Sequence, residues 1–279
     1  MKKVKYKFLM KINLSLVAII LFALTQGPAT ASDIKPFYNE SMTYHVSWKG
    51  ITVGRVSLST KVKSDTLIRA HARVSTFGAL KPFYYIAGSV GSEWNYKERK
   101  SFRAFESVYQ GKKFQKRFYY FRGGRIKVKK QEKDFREYGY PHTAPTKVGN
   151  EQRWVRAPGY HDLIGAFYWL RTSNIALKAG KTVRLPVLPA DSKKYLILKI
   201  LKRKKVKTFF GPKYVYHVRS GISNKKNVSV GSGGDMLIKT KSPIDMYITD
   251  DENKVMVKGW TKVEVAGKVQ VNLVKYKQK

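Results

Sequence analysis

The sequence predicts a mainly β protein: a curved antiparallel sheet, or open barrel-like β architecture, with one short central helix. Three observations predict it. Apolar residues recur with period two along most of the chain after Glu40, the spacing that turns one face of a strand to a core and the other to water. Turn signals such as Lys49-Gly50-Ile51 and Arg122-Gly123-Gly124-Arg125 separate these runs, and strands joined by short turns pair antiparallel. The period becomes helical in one segment, Asp162 to Arg171.

The first element is a signal for export. Lys2, Lys3, Lys5, Lys7 and Lys11 form a cationic start, Ile12 to Leu24 an apolar run too short to span a bilayer comfortably, and Gln26, Gly27 and Pro28 break it. Ala29-Thr30-Ala31 offers the small residues a signal peptidase accepts. Cleavage after Ala31 is expected, leaving residues 32–279 as a single β-rich domain in the periplasm or outside the cell. No second long apolar run follows, so the cleaved chain is not expected to be an integral membrane protein. There is no cysteine, which excludes disulfides and acylation on cysteine. Losing the five signal lysines reduces the formal charge from +38 to +33 on the remaining 248 residues. A surface that basic needs screening or an anionic partner.

The strands follow in order. Tyr44, Val46 and Trp48 alternate with polar neighbours, as do Val56, Leu58, Thr60 and Val62, then Ile68, Ala70, Ala72 and Val74, then Val90, Ser92, Trp94 and Tyr96. Tyr138 to Pro158, with Pro141, Pro145 and Gly149, reads as a long loop. Leu163, Ile164, Phe167 and Leu170 then lie on one helix face. His161 or Asp162 can cap the start of a helix near 161–172, and Arg171 suits its negative end. Period two returns at Val183 to Val187, Tyr195 to Leu201, Val215 to Val218, Met236 to Ile238, Met246 to Ile248, Val255 to Val257 and Val269 to Val274. The helix thus sits between two β halves. Asp250-Asp251-Glu252 reads as a hairpin loop.

Few residues point to a reaction. His45, His71, His142, His161 and His217 are not paired at metal-ligand spacing, so no metal or other cofactor is expected. Ser223-Asn224-Lys225-Lys226 matches Ser-x-x-Lys without the partner motifs of penicillin-recognising enzymes. Gly231-Ser232-Gly233-Gly234 lacks the ending of a phosphate-binding loop. Two segments are strongly basic. Lys97 to Arg136 carries fifteen Lys or Arg against four acids, and Lys193 to Lys226 twelve against none. Phe118, Tyr120, Phe209, Tyr214 and Tyr216, interleaved with these charges, read as the buried faces of their strands.

Three segments in order resemble a known family. Asn39-Glu40 leads into Tyr44-His45-Val46-Ser47-Trp48 and the turn Gly50-Ile51, followed by Gly54. Asp162 to Arg171 forms the central helix. Ile244 to Val257 reads as a strand, an acidic turn and a strand, with Ala266 to Val271 in register behind it. This order resembles the bacterial exported family of domain of unknown function 3108, although Asn39 replaces its first glycine. The resemblance implies an exported β-rich domain with a short central helix and carries over no catalytic residues. By analogy of fold, it points to envelope carriers that shelter acyl chains.

The resulting expectation is a non-enzymatic protein that binds an anionic, lipidic envelope component such as lipopolysaccharide, without specific nucleic-acid recognition. The helix would act as a lid over an apolar concave face. Lys112, Lys113, Lys116, Arg117, Lys202, Arg203, Lys204 and Lys205 would form a cationic rim. The alternatives are an enzyme acting on envelope glycan through His161 and Asp162, and a generic binder of polyanions or nucleic acid.

Overall fold

The computed structural model describes residues 39–78, 85–136, 144–172, 177–189, 192–224, 243–251, 253–263 and 267–278. The signal segment, His142, the glycine-rich run at 231–234 and the strand expected at Met236 to Ile238 lie outside them. The strands are β1 (Ser41–Trp48), β2 (Ile51–Ser64), β3 (Leu67–Thr76), β4 (Ile86–Asn95), β5 (Lys100–Gln110), β6 (Lys113–Arg122), β7 (Arg125–Asp134) and β8 (Lys147–Arg156). The helix α1 (Leu163–Thr172) follows. Then come β9 (Thr182–Val187), β10 (Lys194–Thr208), β11 (Gly211–Ser223), β12 (Ile244–Thr249), β13 (Met256–Val263) and β14 (Gly267–Lys277). Among the described residues no helix is long and apolar enough to cross a membrane.

All fourteen strands form one antiparallel sheet, in the order β8-β7-β6-β5-β4-β3-β2-β1-β14-β13-β12-β11-β10-β9. The two β halves are therefore one sheet, joined where β1 pairs with β14 from Ser41↔Lys277 to Trp48↔Val269. The sheet is not closed: β8 and β9 are its edges, and α1 connects them in the chain. The period-two reading holds where it was clearest. Val56, Leu58, Ile68, Ala70, Ala72 and Val74 all point into the core.

Two sequence expectations need correction. The segment read as a loop over Tyr138 to Pro158 contains β8, which pairs with β7 over ten successive rungs from Arg125↔Arg156 to Asp134↔Lys147. Its side chains are almost all exposed, so it lacks the apolar alternation that marks a half-buried strand; its order comes mainly from the ladder, with Val155 packing against the small cluster beneath. The second correction concerns α1. Ile164, Ala166, Phe167, Tyr168, Leu170 and Arg171 are all buried, so the helix is a plug packed against β4, β5 and β9 and not a lid with one wet face. Its residues are apolar nearly all round, the pattern of an enclosed helix.

Candidate functional site

Polar side chains fix the plug at both ends. At the start of α1, Asp162 Oδ1 accepts from the backbone N–H of Gly165 at 2.9 Å, and Oδ2 accepts from Ser92 Oγ at 2.9 Å. The Asp162 N–H donates to Ser101 Oγ at 3.2 Å. This is an N-cap carried into the sheet. Gly165 is needed for it, because a Cβ there would lie 2.1 Å from Ser101 Oγ. Burial pushes the Asp162 carboxyl up, and these hydrogen bonds oppose the shift. His161 is also buried, and among the described residues its Nδ1 has no hydrogen-bond partner. Burial lowers its pKa to about 4, so the ring is neutral at neutral pH. The two residues are neighbours in the chain, but the Asp162 oxygens are engaged in the cap and with Ser92.

At the other end, Arg171 is wholly buried and forms a two-pronged ion pair with Glu40, at 2.6 and 3.0 Å. It donates a third bond to the carbonyl of Asn253 at 2.8 Å, while Tyr276 Oη donates to Glu40 at 3.1 Å. Burial opposes the guanidinium charge, but the Glu40 carboxylate more than offsets that and raises the Arg171 pKa above its ordinary value. Arg171 does not simply complement the helix end. It ties α1 to the segment entering β1 and to the β12–β13 turn.

The face of the sheet turned away from α1 holds a different arrangement. A groove of about 580 Å³ runs across β2 to β6, lined on this face by Ser59, Lys61, Arg69, His71, Glu93 and Arg103, with Phe105, Phe118 and Tyr120 as its aromatic floor. Antiparallel register puts these residues on one face: Ser59, His71, Gly91, Phe105 and Phe118 lie on one row, and Lys61, Arg69, Glu93, Arg103 and Tyr120 on the next. Phe105 lies over Gly91, where a Cβ would come 2.3 Å from its ring. Its centroid is 5.9 Å from His71 and 6.4 Å from Phe118. A neighbouring hollow of about 460 Å³ shares Phe118 and adds Lys116 and Lys129.

Charge in the groove is unbalanced. Glu93 meets Arg69 at 2.5 Å, Arg103 at 3.1 Å and Lys63 at 3.7 Å. Partial burial opposes its ionisation, but the three cations outweigh burial and hold its pKa below the ordinary value. Burial, then Arg73 and Arg69, hold the His71 pKa down. One carboxylate thus faces three nearby cations, and Lys61 adds another.

The residues expected to form the rim are not brought together. Lys116 lies in the hollow, with Nζ 4.9 Å from the Phe118 ring centre. Arg117 points to the opposite face, where it is buried and paired with Glu106 at 2.6 Å. Lys112 donates to the Arg136 carbonyl, and Lys113 opens β6 as an exposed side chain. Lys202, Arg203, Lys204 and Lys205 lie on β10, near the other end of the sheet order. There Arg203 pairs with Asp250 at 2.5 Å and stacks on Tyr214, while Lys204 donates to Tyr247 Oη at 2.6 Å. The aromatics read as buried are not fully so: Phe209 and Tyr214 are exposed, and Phe118, Tyr120 and Tyr216 half-buried. Sequence reasoning missed Arg69, Glu93, Arg103 and Phe105. Their only signal is the polar side of an alternating strand, which every half-buried strand carries. Among the described residues no three His, Asp or Glu side chains gather as metal ligands.

These features define a class: an open, barrel-like fourteen-stranded sheet plugged by a clamped helix, with an aromatic, cation-rimmed groove on its outer face. The chain belongs to the family described as protein of unknown function (DUF3108), whose model matches residues 43–274. It is similar to the β-barrel-like protein of domain of unknown function DUF1849 from Brucella abortus, at 12% identity and a TM-score of 0.54, over 87% of this chain and 98% of that one. Weaker likenesses connect it to a protein with a YmcC-like fold from Bacteroides fragilis, at 7% identity and TM-score 0.34, over 91% of this chain and 99% of that one. Another is to the lipoprotein LppX from Mycobacterium tuberculosis, at 12% identity and TM-score 0.24, over 96% and 97%. No curated protein matches the chain. The Brucella likeness speaks for the fold alone.

Proposed function

We propose that this chain is an exported, non-enzymatic protein that binds an anionic, lipidic component of the cell envelope in the groove across β2 to β6. The observation that carries this reading is the groove's composition: an apolar floor of Phe105, Phe118 and Tyr120 beside a surplus of cations at Lys61, Arg69 and Arg103. Acyl chains would cover the rings, removing apolar surface from water at about 25 cal/mol per Å². Phosphate or carboxylate headgroups would meet guanidinium and ammonium groups through charge-assisted hydrogen bonds. The Asp162 carboxylate, engaged by Gly165 N–H and Ser92 Oγ, supports a binding role over glycan hydrolysis.

The test compares two sets of substitutions that remove the same charge. One is Lys61→Gln, Lys116→Gln, Lys129→Gln and Lys127→Gln on the groove face, Lys127 standing opposite Tyr120 in the β6–β7 ladder. The other is Lys202→Gln, Arg203→Gln, Lys204→Gln and Lys205→Gln on β10. Binding is measured to vesicles containing an anionic phospholipid or lipid A, with DNA as competitor at matched ionic strength. The groove set is expected to weaken vesicle binding at least about tenfold more than the β10 set, since each lysine near an anionic surface contributes about 1 kcal/mol. Equal losses, with DNA competing as well as lipid at every salt concentration, would replace this reading with bulk polyanion binding.

A further inference from the structure

We infer that two copies of this chain pair edge to edge through β8, about a two-fold axis at Gln152. The proposal is independent of what the groove binds. Among the described residues no strand lies beyond β8. The strand is ten residues long, carries no proline, and follows β7 rung by rung without a register shift. Its outer backbone groups therefore form a straight, regular template for another strand. Val148 and Trp154 are 51% and 54% exposed on it, two of the seven large apolar side chains most open to water among the described residues. The opposite edge is less inviting: β9 has six residues, includes Pro186, and is tied at its end to His161.

The occupant follows from charge and symmetry. Lysine and arginine on an edge strand normally repel other strands, and β8 carries Lys147, Arg153 and Arg156 against Glu151. Within the chain Glu151 lies 3.7 Å from Arg153 and 4.0 Å from Lys130, so a partner strand must fit its charges to this pattern in register. A two-fold axis normal to the sheet keeps each residue on its own face, so it must pass through a residue and not between two. Centred on Asn150, the axis would set Lys147 opposite the second copy's Arg153. Centred on Glu151 it would set Glu opposite Glu, and centred on Arg153, Arg opposite Arg. Centred on Gln152, it sets Glu151 opposite Arg153 twice, once on each side of the axis. Each such opposite-charge rung stabilises an antiparallel pair, and each like-charge rung opposes it. Centred on Gly149, the axis would set Lys147 opposite Glu151 twice, but would pair only residues 147–151, whereas the Gln152 register pairs residues 148–156. The chain's own β8 is thus complementary to itself over its longest overlap in the register at Gln152. General repulsion between two basic copies is damped beyond about 8 Å at physiological salt.

The test is sedimentation equilibrium of the purified protein at physiological ionic strength, with disulfide trapping. Wild type is expected to approach twice the 32.0 kDa of the full chain, less any cleaved signal, as concentration rises. Arg153→Glu sets Glu opposite Glu and is expected to weaken dimerisation at least about tenfold; exchanging both charges, Glu151→Arg with Arg153→Glu, should restore it to within about threefold. The chain has no cysteine, so Gln152→Cys introduces the sole thiol, and it should give a covalent dimer under mild oxidation. Asn150→Cys, which would face Trp154, should give far less. Circular dichroism checks that each variant is folded, as expected for exposed side chains. A monomer at every concentration up to about 0.1 mM, a dimer indifferent to the charge exchange, or equal trapping at Asn150 and Gln152 would each overturn the proposal.

Discussion

Strands β1–β4 and β9–β14 pack with α1 on a continuous apolar core, which β5 joins through Val108 alone, whereas the rest of β5–β8 rests on a small separate cluster of Ala104, Tyr119, Ile126, Val128, Ala157 and Leu188. The ion pairs differ in the same way. Arg171 and Glu40 are sealed, with side chains 0% and 1% exposed. In the wing formed by β5–β8, Lys130 pairs with Glu132 at 3.1 Å and lies 4.0 Å from Glu151, and both acids are exposed to water. One region spends its side chains on burial. The other buries less apolar surface and leaves more of its side chains open to water, with Arg117 and Glu106 as its buried pair. The groove spans the boundary between them, resting on β2–β4 of the core and opening onto β5 and β6 of the wing. Chemistry available to a ligand thus collects where the apolar core thins out.

The sharpest test of this contrast removes one arginine from each region. Arg171→Leu leaves the Glu40 carboxylate buried without its main partner, and a loss of about 3–5 kcal/mol is expected from the denaturant midpoint. Arg117→Leu leaves Glu106 still hydrogen-bonded to Tyr119 Oη at 2.9 Å and closer to water; about 1–2 kcal/mol is expected. Equal losses would mean that the wing is as tightly built as the barrel.

A second difference lies in pH dependence. His161 has a folded pKa of about 4 against an ordinary 6.5. The unfolded chain therefore takes up the proton first, and stability falls as pH drops from about 6.5 towards 4, by about 3 kcal/mol for this group. Asp162, raised by burial, acts in the opposite sense, gaining stability as pH falls. The share due to His161 is read as the difference between wild type and His161→Phe in urea titrations across this range. If His161→Phe loses stability over that interval as steeply as wild type does, the buried neutral ring is not the source.

The smallest effect on stability comes from Gly91→Ala. A Cβ there meets the Phe105 ring, which must swing away. A stability change below about 1 kcal/mol is expected, because the ring is at the surface of the wing and can move. Vesicle binding should nevertheless fall, since the groove loses part of its floor with no change in charge. Unaltered binding would remove Phe105 from the site.

Much of the fold was legible because period-two alternation survives wherever a strand has one dry face, as in Val56 to Val62 and Ile68 to Val74. It failed for β8, whose ladder is paired while its side chains stay wet. The helix was found by its change of period, yet its role was misread. Its marked apolar stripe drew attention from Ala166 and Tyr168, which are equally buried. Of the candidate site, Lys116 alone came from both sequence and structure. Arg117 beside it failed because adjacent strand residues point to opposite faces, and charge counting along the chain is blind to that.

By itself, the sequence determined the strand-rich composition, most hairpins, the position of the one described helix and a strongly positive charge that needs screening or an anionic partner. All of these follow from local spacing and residue type. Only the tertiary structure decided that β1 meets β14 and makes two halves one sheet, that Glu40 reaches Arg171 across 131 positions, and that Phe105, Phe118, Arg69 and Arg103 share one groove. The physical reason is that alternation says which residues lie together on a face. It does not say which face turns inward, how far the sheet curls, or which strands become neighbours. Those are settled by burying α1 within the curl and by matching long-range registers, and no short stretch of the chain contains that information.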